Sequence, residues 1–213
     1  MRKILICLLA MCMLMLTACN DTASQVNDNT GAQESATVSE EEDAISEAED
    51  TGDGAADNGK DSELMDMKVA DLDEKDVRLG DLISANDLTL INYWGTFCGP
   101  CIREMPDLGV LSHEYSDQGF GIVGLTCDIV NPADGSYDAG SISDAKDIID
   151  STGADYPIVI ATNELNDYIN SDVVPISFFV DKHGNQIGEI IPGSRSYEAW
   201  DEVISSALTE IGQ

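Results

Sequence analysis

The sequence predicts an α/β domain over residues 65–213: a central mixed β-sheet flanked by helices, with an N-terminal β-hairpin extension and a helical insertion. Three observations predict it. Beyond the apolar run at the start of the chain, almost all aromatic and branched aliphatic side chains follow Leu64, enough for one substantial core. Strand-like apolar runs alternate with helical patterns, as in layered α/β folds. A hairpin signal and an amphipathic helix close the chain, which makes the sheet mixed rather than purely parallel.

Met67 to Ala70 and Val77 to Leu79 read as short strands around the polar turn Asp73-Glu74-Lys75, and Asp81 to Ser84 as one helical turn. Leu88 to Trp94 is near-continuous in apolar and β-favouring residues, the pattern of a strand covered on both faces. A helical pattern then runs through Glu114, with Pro100 in its first turn, where a missing N–H costs little. Phe120 to Thr126 is a second buried-type strand, and Asp128 to Gly140 a loop rich in Gly, Asp and Pro. A helix capped by Ser143 is expected over 143–151, a strand over Tyr156 to Ile160, and a helix over Asn163 to Ile169. Ile176 to Val180 and Gln186 to Ile190 flank the turn sequence Asp181-Lys182-His183-Gly184-Asn185, and Ser196 to Ile211 is the closing helix.

The charge is lopsided: 41 acidic residues against 10 basic ones, a formal net charge of -31. Nucleic acid is excluded as a partner, because phosphate binding needs clustered Lys and Arg. No phosphate-binding glycine loop or dinucleotide fingerprint occurs. From Asn20 to Asn58 there is no Lys or Arg, and few side chains exceed Ala in apolar area. Such a segment cannot bury enough surface to offset its ordering entropy, so residues 19–64 are expected to form a disordered spacer. A flexible chain of about 40 residues reaches roughly 35 Å, and like charges extend it.

Met1-Arg2-Lys3 followed by the apolar run Ile4 to Leu16 reads as an export signal over residues 1–18, too short to span a bilayer comfortably. Leu16-Thr17-Ala18-Cys19 resembles the lipobox of bacterial lipoproteins. That resemblance implies cleavage before Cys19, lipidation of its sulfur, and a protein held on the cell membrane facing outside the cytoplasm. Cys7 and Cys12 would leave with the signal.

The chemistry-bearing segment is Asn92-Tyr93-Trp94-Gly95-Thr96-Phe97-Cys98-Gly99-Pro100-Cys101-Ile102-Arg103-Glu104-Met105-Pro106. A CxxC that follows a strand and opens a helix reads as a redox pair. The alternatives are a structural disulfide, whose loop is too short to stabilise a fold greatly, and half of a metal site, which usually needs four ligands. Cys98 at the helix start would have its thiolate stabilised by unpaired N–H groups and the positive helix end, below the free value of about 8.5. It would attack a client disulfide, and Cys101, one turn along, would resolve the mixed disulfide. The electrons reside in the sulfur pair, so no cofactor and no metal are needed.

This segment resembles the active site of the thioredoxin superfamily, and with Glu104-Met105-Pro106 its extracytoplasmic branch, the TlpA/ResA-like oxidoreductases of disulfide reduction and cytochrome c maturation. The resemblance covers residue 67 onward and implies a thioredoxin-like fold. It also implies a cis peptide bond at Val174-Pro175, beside the dithiol, offering backbone groups to an extended client. Trp94 would pack by the active-site loop, and Phe97 would stand where many relatives carry a second Trp. Asn92 replaces the buried Asp of cytoplasmic thioredoxins, which favours a specialised client. Glu104 and Asp128 are candidate acids near the dithiol. Gly99-Pro100 is the dipeptide of reducing thioredoxins and implies a potential near roughly -270 mV. Implied partners are disulfide-containing proteins such as apocytochrome c, and an integral membrane thiol carrier as electron donor, with the chain acting as a monomer.

Cys127 reads either as a small buried hydrophobe or as an additional redox thiol. Two further functional readings stand beside the reductase. One is a thiol peroxidase of the related redoxin (AhpC/TSA-like) group, which usually carries a different threonine–cysteine motif. The other is a copper chaperone using Cys98, Cys101 and a histidine, which usually has three residues between its cysteines. Mass spectrometry of the mature protein is expected to find Cys19 as an acylated N-terminus; an unmodified Cys19 would remove the lipid anchor.

Overall fold

The computed structural model describes residues 63–212. The leader, Cys19 and the spacer up to residue 62 lie outside them. Leu64, assigned to the end of the spacer, is fully buried, and a helical turn covers 63–66.

Seven strands form one sheet: β1 (Lys68–Asp71), β2 (Asp76–Arg78), β3 (Leu88–Trp94), β4 (Phe120–Thr126), β5 (Ile158–Ile160), β6 (Ile176–Asp181) and β7 (Gln186–Pro192). Their spatial order is β2-β1-β5-β4-β3-β6-β7. β3, β4 and β5 are parallel, whereas β6 pairs antiparallel with both β3 and β7, and β1 with both β5 and β2. The helices are α1 (Leu79–Ile83), α2 (Gly99–Glu114), α3 (Ala139–Thr152), α4 (Asn163–Ile169) and α5 (Tyr197–Ile211).

Alternation along the strands divides the core in two. One cluster takes Leu88, Leu90 and Trp94 of β3 and sets them against Met105 and Leu108 of α2, Ile142 of α3, and Trp200 and Ile204 of α5. The other takes Ile91 and Tyr93 with Leu64, Leu79 and Ile83 of the N-terminal segment and Leu165 of α4. Both faces of β3 are therefore covered, and all seven of its residues are buried. That is why its sequence is near-continuously apolar rather than alternating, with Thr89 and Asn92 as its buried polar residues.

The insertion between β4 and β5 carries α3. Its N-cap is Asp138, whose carboxylate accepts the Ser141 N–H at 2.7 Å, not Ser143 as the sequence suggests. Asp and Ser are comparable caps, and the earlier one adds a full turn of helix that buries Ile142. The first hairpin also slips against expectation: the second strand ends at Arg78, and Leu79 and Gly80 open α1. The third strand of the parallel set starts at Ile158, after Pro157, because Pro has no N–H to give to a ladder.

Pro106 lies inside α2 and so leaves the Ile102 carbonyl without its usual i+4 donor. Three residues further, Gly109 lets α2 approach the end of α3 closely: a Cβ there would meet the Gly153 carbonyl oxygen at 2.8 Å. Gly109→Ala should therefore destabilise the domain. Overpacking of a tight contact costs about 1–3 kcal/mol, outweighing the gain of about 1 kcal/mol from Gly to Ala within a helix. A thermal melt checks this; a higher midpoint in the variant would contradict the close approach.

Candidate active site

β3 ends at Trp94, and the loop from Gly95 to Phe97 delivers the chain to the head of α2. Cys98 is the N-cap, with extended backbone (φ -89°, ψ 93°). Its sulfur accepts the Cys101 N–H at 3.2 Å, and its carbonyl accepts the Ile102 N–H at 3.1 Å. A cap acceptor satisfies one of the donors that every helix start leaves open. Here that acceptor is the sulfur that would carry charge in exchange. Cys98 and Cys101 are joined as a disulfide, with Cα atoms 5.3 Å apart. Cys98 retains 5% exposure against 1% for Cys101, so the first sulfur is the one nearer to solvent.

The loop is held from both sides. Asp128, just past β4, accepts the Thr96 backbone N–H at 3.0 Å and the Thr96 hydroxyl at 2.5 Å. On the other side Tyr93 is in register with Ile176. Pro175 and Val174 thus continue alongside Trp94 and Gly95. The Val174–Pro175 bond is cis. The Pro175 carbonyl accepts the Gly193 N–H at 2.8 Å, whereas the Val174 backbone has no hydrogen-bond partner among the described residues. Phe97 is 71% exposed and Val173 62% exposed, an apolar rim on an otherwise acidic domain. Gly99 and Pro100 are exposed at the helix head, and Trp94 is fully buried in the same cluster as the two cysteines.

Beneath the dithiol lies a buried polar group that the sequence reading placed only as a candidate acid. Glu104, one turn beyond Cys101, is 2% exposed. One carboxylate oxygen accepts from Asn92 Nδ2 at 3.3 Å; the other accepts from the Arg195 N–H at 3.1 Å and Trp200 Nε1 at 3.0 Å. Asn92 also donates to Ser177 Oγ at 3.0 Å. Burial pushes the Glu104 carboxyl above its ordinary pKa, while its three donors pull the other way. Its side chain is thus a proton acceptor or donor closer to neutrality than a surface glutamate. Ser177, Arg195 and Trp200 were missed from sequence. Trp200 lies 96 residues from Glu104, and no local signal couples them.

Cys127 sits half-buried just after β4 and packs with the second cluster, on the sheet face opposite the dithiol. Burial, with the nearby Asp128 charge, pushes its thiol up to about 11, away from nucleophilic reactivity. Neither histidine approaches the pair along the chain in a metal-holding manner. His113 is at the far end of α2, about 18 Å along the axis from Cys101, and its Nε2 is 2.7 Å from Asp155. His183 is in the β6–β7 turn.

A CxxC disulfide at the head of a helix, beside a cis-proline loop and on this strand order, defines a thioredoxin-like α/β protein. A thioredoxin-family thiol:disulfide interchange protein from Chlorobium tepidum TLS superimposes with a TM-score of 0.54 at 25% identity, over 67% of this chain and 92% of that one. A secreted Mycobacterium tuberculosis disulfide oxidoreductase shares the fold at 13% identity and a TM-score of 0.52, over 70% of this chain and 98% of that one. The sequence profile of the AhpC/TSA family matches residues 61–186, and the chain belongs to that family. Among curated relatives, thiol-disulfide oxidoreductase ResA of Bacillus anthracis is 30% identical over 125 residues, 58% of this chain and 64% of that protein. ResA of Geobacillus kaustophilus is 33% identical over 135 residues, 62% of this chain and 69% of that protein. The chain thus spans 64% of the length of the first of these relatives.

The raised Glu104 pKa has a stability signature. A carboxyl that holds its proton more tightly when folded contributes fully below its unfolded pKa, and that contribution is lost as pH rises through the folded value. Glu104→Gln mimics the protonated form, so its stability relative to wild type should improve as pH goes from about 4 to about 7. Parallel thermal melts across that window test it, and a pH-independent gap would rule out the buried carboxyl as the cause.

Proposed function

We propose that this chain is a thiol–disulfide oxidoreductase that reduces protein disulfides, tethered to the outer side of the cell membrane through a lipid on Cys19. One observation carries the catalytic part: the Cys98 sulfur caps α2 and accepts the Cys101 N–H at 3.2 Å, with its redox partner already bonded to it. In the reduced state the helix end stabilises a thiolate at that position.

The exchange conserves atoms and electrons. Cys98 thiolate attacks one sulfur of the client disulfide, and the other client sulfur leaves as a thiolate that takes up a proton. Cys101, deprotonated with Glu104 one turn away as the nearest buried carboxyl along the helix, attacks the Cys98 sulfur. The internal disulfide closes and the second client thiol is released. Two electrons pass from the sulfur pair to the client, and no cofactor takes part. Val174, with a free backbone N–H and C=O, offers an edge to an extended client, the logic of strand addition.

The names of the relatives support the reaction class: the Bacillus and Geobacillus proteins are thiol-disulfide oxidoreductases, and the Chlorobium protein is a thiol:disulfide interchange protein. Gly99-Pro100 supports the reductive direction. That direction requires electrons from an integral membrane thiol carrier, and cytochrome c maturation is a process that would use them. The chain acts as a monomer.

Cys98→Ser should abolish reduction of a protein disulfide, whereas Cys101→Ser should accumulate mixed disulfides visible on non-reducing gels. Redox titration of the Cys98–Cys101 pair should give a potential near roughly -270 mV. A value near -120 mV would reverse the direction, and full activity in the Cys98 variant would end the assignment.

A further inference from the structure

Arg103 is placed as if for an anion that the protein itself does not supply. Most cations of this acidic domain are paired: Lys75, Arg78, Lys146 and Lys182 each hold a carboxylate at 2.7–3.5 Å. Arg103 is exposed, and its guanidinium has no hydrogen bond or ion pair among the described residues. Asp107 stands four residues further along the same helix, within reach of an i,i+4 pair, and is not used.

The guanidinium instead reaches back towards the helix start. A Cβ built on Gly99 would lie 3.4 Å from Arg103 Nη1, so the charge hangs over the residue directly after Cys98. A cation at a helix N-terminus is electrostatically unfavourable, because that end already carries partial positive charge. Two positive groups therefore meet at the head of α2, at the residue that follows the N-cap Cys98. Phe97 is exposed just before that cap, with its ring over Gly95, and Val173 is exposed on the neighbouring loop. Remote acids of the domain weigh little here, since charges separated by more than about 8 Å are screened at physiological salt.

We propose that Arg103 is a specificity-determining residue that reads a carboxylate on the client, beside its disulfide sulfur. The substrate class is then a segment in which an acidic and an apolar residue flank the cysteine, the apolar one resting on Phe97 and Val173. This rests on the oxidoreductase reading above. When Cys98 becomes part of the mixed disulfide its negative charge is gone, and the client carboxylate takes over as the counter-charge for the guanidinium. The two electrons and the protons move as in the exchange already described.

The test uses three capped peptide disulfide dimers that differ only in the residue after cysteine, Glu, Gln or Lys, each with a Leu before it. Pre-reduced full-length protein is mixed with each at physiological ionic strength, where remote charges are screened, and release of peptide thiol is followed after acid quench. Wild type should reduce the Glu peptide about five-fold faster than the Lys peptide, the ratio that about 1 kcal/mol of surface charge pairing gives. Arg103→Gln should bring the ratio close to one, and Arg103→Lys should keep most of it. The ratio is internal to each preparation, so partial unfolding or a changed Cys98 thiolate fraction cancels. An undiminished ratio in Arg103→Gln, or equal wild-type rates for all three peptides, would overturn the inference while leaving the oxidoreductase reading intact. Failure of wild type to reduce any of them would take down both.

Discussion

A carboxyl group taken out of water must be hydrogen-bonded, and the arrangement around Glu104 follows from that requirement. Its donors come from β3, from Arg195 just ahead of the α5 N-cap Ser196, and from Trp200 on that helix. Hydrogen bonds to a charged group are worth about 1.5–3 kcal/mol each, and stranding such a group costs more. The head of α2 is thereby fixed to the sheet at one level and to α5 at another. Cys98 and Cys101 inherit their orientation from this fixture, because they occupy the turn immediately before it.

The sheet supplies the second half of the positioning. β3 is covered on both faces and runs between parallel β4 and antiparallel β6. Its two neighbours each contribute one clamp on the loop that follows it: Asp128 after β4 and the Val174–Pro175 segment before β6. Ladder register sets where these clamps fall, so a slip of one residue in either pairing would turn side chains to the wrong face and misplace the loop. The insertion carrying α3 departs beyond Asp128 and returns at β5, leaving both clamps untouched.

Much of this was legible in the sequence where the signal is local. The near-continuous apolar run of β3, the Asp181–Asn185 turn and the CxxC at a strand–helix junction each announce themselves within a dozen residues. The start of α3 was misjudged because Asp138 and Ser143 are equivalent as caps, and only the burial of Ile142 decides between them. Glu104 could be named but not placed, since its burial depends on Trp200 and Arg195, brought in by the closing helix. Asn92 could be named, but its partner Ser177 is set by the β3–β6 register. The face on which Cys127 lies also waits on the sheet, as it hangs on one residue of alternation after β4.

That last placement has a consequence for fidelity. A protein that makes and breaks sulfur–sulfur bonds runs the hazard of exchanging with itself, and a spare thiol within reach would siphon the reaction into a dead-end cross-link. Here a layer of backbone stands between the spare sulfur and the working pair, like a wall between two rooms. Among the described residues, the exchange proposed above therefore has one doorway, the Cys98–Cys101 pair.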